Sequence, residues 1–262
     1  MKKPKTKTVP LAEIVRALDE KLRVAEFSRD VSHNGLQVEG AEGGVSKVCC
    51  GVDASPAFHE EALRRGAQLL VVHHGISWGD SLSRIVGPNY RLVAPLVRAG
   101  AALYAAHLPL DAHPELGNNA GLARALGLRD LEPFGTYAGY AIGLKGRYPR
   151  PVAWTEVLRR LRRACPDGRF EHVDAGARLV RTVGVVSGGA AEEFAEAVEQ
   201  GLDAYVTGEI GLSDYNAVLN NPIDFAAAGH YATERFGVRA VGEWLAATFG
   251  VEAEFIDLHL KY

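Results

Sequence analysis

Two adjacent histidines, His73 and His74, close the apolar run Ala67-Gln68-Leu69-Leu70-Val71-Val72 and are followed by Gly75. The run is short and follows a helix-like segment, so it reads as a buried parallel strand. Along a strand, neighbouring side chains point to opposite faces. Two consecutive histidines can share a ligand only where the strand ends and the backbone bends, and Gly75 supplies that freedom. The carboxyl edge of an α/β sheet is also where ligands tend to bind. His73 and His74 therefore read as metal ligands.

Two further pairs carry compatible chemistry. His230 and Glu234 are four residues apart at a predicted helix start, so both side chains lie on one face and can converge on one ion. His107 and Asp111 have the same spacing across a segment read as a loop, because Pro109 disfavours helical angles in the residue before it. Imidazole and carboxylate without thiolate suit Zn, Fe, Mn, Co or Ni. A carboxylate can bridge two ions, and such a centre attracts anions and lowers the pKa of a bound water. Any one of the nine histidines is more often a core or surface residue than a ligand; the case rests on the set.

The elements that must position these residues follow from pattern. Pro10 to Leu22 reads as an amphipathic helix with Leu11, Ile14, Val15, Leu18 and Leu22 in one stripe. Asn34 to Gly40 is a turn into a short strand. Val45–Asp53, helix Pro56–Arg65 and the strand ending at His73 make a βαβ unit. Helix Tyr90–Ala99 and strand Ala101–Ala106 lead to His107, and Asn118 or Asn119 caps a helix ending at Gly127. Later come strand Tyr140–Leu144, helix Trp154–Ala164, strand Leu179–Val186, helix Ala191–Gln200, and strands Ala204–Thr207 and Phe225–Ala228. A final helix, about Ala232 to Phe249, precedes a strand Ala253–Leu258.

The two halves repeat. Gly51-Val52-Asp53-Ala54-Ser55, a helix, Gly66-Ala67 and a strand into His73-His74 match Gly184-Val185-Val186-Ser187-Gly188, a helix, Gly201-Leu202 and a strand into Thr207-Gly208-Glu209. Ala105-Ala106-His107 with Asp111 matches Ala227-Ala228-Gly229-His230 with Glu234. The expected fold is thus α/β, two related halves about a pseudo-twofold axis, each a β-sheet with flanking helices and a site between them. The first half covers residues 1–128, with part of the C-terminal segment 235–262. The second covers 129–234. Neither half alone holds the full set of donors.

Composition limits the partners. With 47% hydrophobic and 23% charged residues the chain can bury a full core. A net charge of −3 argues against a general nucleic-acid surface, and no run of eighteen apolar residues suggests a membrane span. The basic Met1–Lys7 stretch, with no apolar segment after it, reads as a flexible tail and not a signal peptide. Three cysteines without metal spacing fit reduced thiols in a cytoplasm. Glu209 holds the position that His74 has in the first half and is a candidate to face the same cleft. Trp78 is a candidate pocket wall, and Arg159, Arg160, Arg162 and Arg163 read as a solvated or subunit-facing surface.

The stretches Asn34-Gly35-Leu36-Gln37-Val38, Gly51 to Ser55, Val71 to Gly75, His107 to Asp111, Thr207-Gly208-Glu209 and Gly229 to Gly237 resemble the YbgI-like (Nif-three-like) family, whose members are named type 2 homologues of GTP cyclohydrolase I. The resemblance covers nearly the whole chain after the tail. It implies a toroidal homohexamer with two divalent metal ions per subunit, ligated by His73, His74, Asp111, His230 and Glu234. His107 resembles a neighbouring proton carrier or hydrogen-bonding partner of the ligands, though Leu108 replaces the small polar residue that commonly follows it. The implied function is a metal-dependent hydrolase acting on a GTP-like nucleotide or related small anionic, phosphorylated substrate through a metal-activated hydroxide, with His107 and Glu209 moving protons. The alternative is a non-enzymatic hexameric scaffold, metal carrier or protein-interaction module.

Overall fold

The computed structural model describes residues 8–40, 43–175 and 179–262; the basic tail Met1–Lys7 lies outside them. The protein is mixed α/β, with two sheets flanked by helices, and divides into two compact units. The first comprises Met1–Leu110 and Val238–Leu258, the second Asp111–Gly237 and His259–Tyr262. No helix among the described residues is long and apolar enough to cross a membrane.

In the first unit, strands β1 (Gly35–Val38), β2 (Lys47–Asp53), β3 (Leu69–His74), β4 (Ala102–Ala105) and β11 (Glu252–Phe255) form a sheet in the order β1-β4-β3-β2-β11. β2, β3, β4 and β11 are parallel, and β1 closes the edge antiparallel to β4. Parallel strands covered on both faces need continuous apolar runs, and Val48, Cys49, Leu70, Val72, Leu103 and Ala105 supply them. Helix α1 (Leu11–Leu22) buries Ile14, Leu18 and Leu22 of its predicted stripe. Helix α2 (Pro56–Arg64) starts with the Ser55 hydroxyl accepting from the Phe58 amide and with Pro56 in its first turn. Phe58 presses onto β2 at Gly51, where a Cβ would lie 2.4 Å from its ring. Helix α3 (Pro88–Ala99) leads into β4.

Beyond β4 the chain forms a short helix α4 (Leu108–Ala112) rather than the expected loop. Pro109 sits in its first turn, where a missing N–H breaks no helical hydrogen bond. The unit boundary falls inside α4, so helix α5 (Asn118–Leu126) belongs to the second unit, whereas the sequence reading assigns it to the first half. The reason is packing: Leu122 and Leu126 bury in one core with Val157 and Leu161 of helix α6 (Trp154–Ala164).

The second sheet runs β5-β6-β8-β9-β10-β7, from β5 (Arg129–Tyr137), β6 (Tyr140–Ala153), β7 (Glu171–Val173), β8 (Leu179–Val185), β9 (Ala204–Thr207) and β10 (Asp224–Ala227). Here β8, β9 and β10 are parallel and β7 closes the edge antiparallel to β10. That arrangement matches β2, β3, β4 and β1 of the first unit strand for strand. Helix α7 (Phe194–Glu199) is shorter than expected, and helix α8 (Leu212–Leu219) and strands β5 and β7 have no counterpart in the sequence reading. The last predicted helix is two, α9 (His230–Thr233) and α10 (Arg235–Phe249), separated at Glu234.

Candidate metal centre

In the first unit both histidines of the doublet belong to β3, yet their rings lie 4.5 Å apart between centroids and tilt by 42°. The chain turns directly after them at Gly75, where a Cβ would come within 2.3 Å of the Gln37 side chain and 2.6 Å of Ala105. Gln37 fixes this turn by accepting from the Ile76 and Ser77 amides, at 2.7 and 3.2 Å, and donating to the His33 carbonyl. His107, just past β4, brings a third ring to 5.1 Å from His73 and 5.8 Å from His74. One potential ligand atom of each of the three lies within 4.8 Å of the others.

Each of these rings is held by its Nδ1. His73 Nδ1 meets the Ala106 carbonyl at 2.9 Å, His74 Nδ1 meets Asp53 Oδ1 at 2.8 Å, and His107 Nδ1 meets Asp30 Oδ1 at 2.9 Å. All three partners are oxygens, so Nδ1 carries the proton of the neutral ring and Nε2 is the nitrogen that could ligate an ion. This is the arrangement by which metal-binding histidines are fixed in tautomer and orientation. Asp30 is itself anchored by the Ser32 and Leu108 amides and the Asn34 side chain. Burial alone would raise its carboxyl, but His107, Asn34 and Ser32 outweigh that and hold it below the ordinary carboxylate range. Trp78 meets the His107 ring in a T-shaped pair, centroids 4.9 Å apart, and donates from Nε1 to the Gly75 carbonyl.

The second unit gathers Asp111, Glu209, His230 and Glu234 around the turn Ser187-Gly188-Gly189. His230 Nε2 lies 3.1 Å from Glu234 Oε1, and its Nδ1 lies 2.9 Å from Glu209 Oε1. Burial would lower the His230 pKa, but the Glu234 and Glu209 carboxylates more than reverse it and raise it to about 9. The buried Asp111 accepts from Asn118 Nδ2 at 2.9 Å and from the Ser187 hydroxyl at 3.3 Å. At Gly188, with φ +72°, a Cβ would stand 2.2 Å from Glu234 Oε1, and at Gly189 one would stand 2.8 Å from Glu209 Oε1. The turn is held by the Gly188 amide donating to Thr233 Oγ1 and the Gly208 amide donating to the Gly188 carbonyl.

Asn118 and Asn119 are not caps; Gly117 is the cap position of α5. They are buried connectors instead. Asn118 joins Asp111 to the Gly237 amide, and Asn119 joins the Ser187 amide to the Ile142 carbonyl. Sequence reasoning missed Asp30, Asp53 and both asparagines. Asp53 stands inside a quoted motif without a role, and Asp30 gives no local signal. Of the arginine cluster, Arg159 and Arg160 pair with Glu156, Arg160 also donates to the Leu126 carbonyl, and Arg162 stacks over Phe170. A cavity of about 110 Å³ opens beside Glu209, lined also by Arg169, Glu171 and Tyr262.

The donors fit a divalent ion: buried or half-buried imidazoles and carboxylates, oriented by hydrogen bonds, with the three cysteines buried as free thiols. The chain is similar to known proteins throughout its length. A Deinococcus radiodurans protein named GTP cyclohydrolase 1 type 2 homolog is 40% identical over 245 residues, covering 94% of this chain and 92% of its own. Two solved structures superimpose closely: protein ybgI, described as of unknown function (TM-score 0.88, 36% identity, 95% of this chain and 98% of that one), and the Thermus thermophilus protein TTHA1606 (TM-score 0.87, 38% identity, the same coverage). The family model for Duf34/NIF3 (NGG1p interacting factor 3) matches residues 9–261, and so takes in most of both units. With histidines, carboxylates and both sheets falling inside that match, the chain belongs to the DUF34/NIF3 family.

Proposed function

We propose that this protein binds two divalent metal ions through His73, His74, Asp111, His230 and Glu234 and hydrolyses a GTP-like nucleotide or related small phosphorylated substrate. The observation that carries the reading is the orientation of the imidazoles. Four histidines, His73, His74, His107 and His230, each turn Nδ1 to an oxygen, the arrangement by which metal-binding histidines are fixed in tautomer and orientation. The names of the relatives support a nucleotide as substrate.

When bound, a pair of divalent ions supplies Lewis acidity and activates water for attack. The chain's own residues do the rest. Asp53 and the Ala106 carbonyl keep His74 and His73 in the ligating tautomer. Asn118 and Ser187 fix the Asp111 carboxylate. Glu209, partly exposed on the cavity wall and bonded to His230, is placed to take up and return a proton. Arg169, on the same wall and paired with Glu171 at 2.7 Å, offers a cation to an anionic substrate group. Assembly as a homohexamer, which the family resemblance implies, is part of the same proposal.

The test is turnover by the purified metal-loaded protein across a nucleotide and phosphoester panel, with metal content measured beside it. GTP or a related nucleotide should be consumed, and Asp111→Ala should abolish consumption. Equal turnover by that variant would mean a contaminant. Metal binding without turnover of any compound would leave the metal-carrying scaffold as the function.

A further inference from the structure

The cavity beside Glu209 lies wholly in the second unit, at the carboxyl ends of the parallel strands β9 and β10, where α/β sheets tend to bind ligands. Arg169, Glu171, Glu209, Ala227 and Tyr262 are among its walls. Its volume of about 110 Å³ is the space of roughly four waters, too little for a nucleotide but enough for the edge of one planar ring. Glu171 and Ala227 are paired neighbours on β7 and β10, so their side chains share a face, and the alanine methyl leaves room beside the Glu171 carboxylate. The backbone around the cavity is tightly packed. At Gly229, with φ +92°, a Cβ would stand 2.7 Å from Gly168 Cα and 3.0 Å from both Arg169 N and the Tyr262 carbonyl oxygen. That carbonyl accepts from the Tyr231 amide at 3.1 Å.

The charge of this cavity selects the chemistry of what enters it. Two carboxylates, Glu171 and Glu209, line it against one guanidinium, and Arg169 already spends its Nε on Glu171 Oε1 at 2.7 Å. A phosphate between two carboxylates is repelled. A neutral ring edge that carries N–H groups is attracted, because ionised carboxylates only accept hydrogen bonds. Tyr262 adds an aromatic ring that is 64% exposed, the kind of surface on which a heterocycle stacks. Stacking on an aromatic side chain combined with hydrogen bonds to the ring edge is how proteins read an unpaired base. Guanine presents N1–H and its N2 amino group as adjacent donors, which together match one carboxylate. Adenine has an acceptor at N1 and no amino group at C2, so it cannot make that pair.

We infer that this cavity is a base subsite in which Tyr262 stacks the ring and Glu171, positioned by Arg169, accepts from the two donors of a guanine edge, so that the protein selects guanine over adenine nucleotides. The inference rests on the nucleotide reading above and narrows it. Arg169, bound to Glu171 through Nε, keeps its terminal nitrogens for the anionic part of the same molecule. Glu209 remains with His230.

Equilibrium dialysis of the full-length protein, metal-loaded and again after chelation, against GTP, ATP or ITP tests this by binding alone. GTP should bind about tenfold or more tighter than ATP in both forms, the worth of hydrogen bonds to a charged group. ITP, which lacks the N2 amino group, should fall between them. Glu171→Gln, whose amide offers one acceptor and one donor, should erase or reverse the preference. Arg169→Gln should reduce it too, because Glu171 then loses the partner that holds it; a role confined to the anionic group would weaken GTP and ATP alike and leave their ratio unchanged. Tyr262→Ala should weaken all three nucleotides about tenfold. Equal affinity for GTP and ATP, or a preference that survives Glu171→Gln, would overturn the inference while leaving the nucleotide reading intact. Failure of all three to bind would overturn both.

Discussion

At the scale of single residues, the donors of the candidate metal centre are readable where they are local in sequence. The His73-His74 doublet and the four-residue spacing of His230 and Glu234 are visible on inspection. The residues that orient these side chains are hidden because they are far away in the chain: Asp53 is 21 positions from His74, Asp30 is 77 from His107, and Glu209 is 21 from His230. Asp53→Asn should leave the fold intact and lower metal affinity about 10–100-fold, since the replaced oxygen fixes the His74 tautomer; isothermal titration of the stripped protein with zinc reads this. Gly188→Ala tests the second unit's turn. A left-handed alanine costs about 1–2 kcal/mol, and its Cβ would also collide with Glu234 Oε1. A clear loss of metal affinity beyond the modest change in melting temperature is expected, and affinity equal to wild type would show that Glu234 does not need its present position.

At the scale of elements, the strongly patterned segments are legible: α1, α6 and the apolar strands β3, β4 and β9 follow from periodicity and burial. The misses have physical causes. α4 reads as a loop in the sequence because the residue before a proline avoids helical angles, yet Pro109 occupies a first turn, where it is welcome. The hairpin β5–β6 alternates weakly, and much of it is exposed. The seam between α2 and α3 carries its own titration. His59 of α2 is 1% exposed, and burial pushes its pKa down to about 4. A histidine kept neutral in the fold but titrating near 6.5 when unfolded stabilises fully above pH 6.5. That contribution is lost as pH falls toward 4. His59→Leu should therefore flatten the decline in denaturant midpoint between pH 7 and pH 5. If the variant and wild type lose stability in parallel over that window, another group is responsible.

At the scale of the whole molecule, the repeat is legible as two matching strings of motifs, and its structural form is the shared order of three parallel strands closed by an antiparallel one. What the strings could not give is the point of division, because α5 carries no signal of which core it joins. Metal should stabilise the fold by mass action, by about 2.7 kcal/mol at a hundredfold excess over Kd. Chelator should then lower the thermal transition by several degrees, and a melting curve indifferent to both metal and chelator would count against a metal-binding role. Acid should have the same effect as chelator, since protonated imidazoles do not ligate. The strand that ends in His73-His74 has one more consequence. β3 is the middle strand of its sheet, hydrogen-bonded to β4 on one side and β2 on the other. Its amides, Leu70 to Val72, should be among the last to exchange with deuterium, opening only with the unit as a whole. An ion reaching these histidines must therefore arrive through solvent at the strand's end rather than through any breathing of the sheet, so the rate of loading should follow the ion's own exchange of water and stay the same when the unfolding rate is changed by mutation elsewhere.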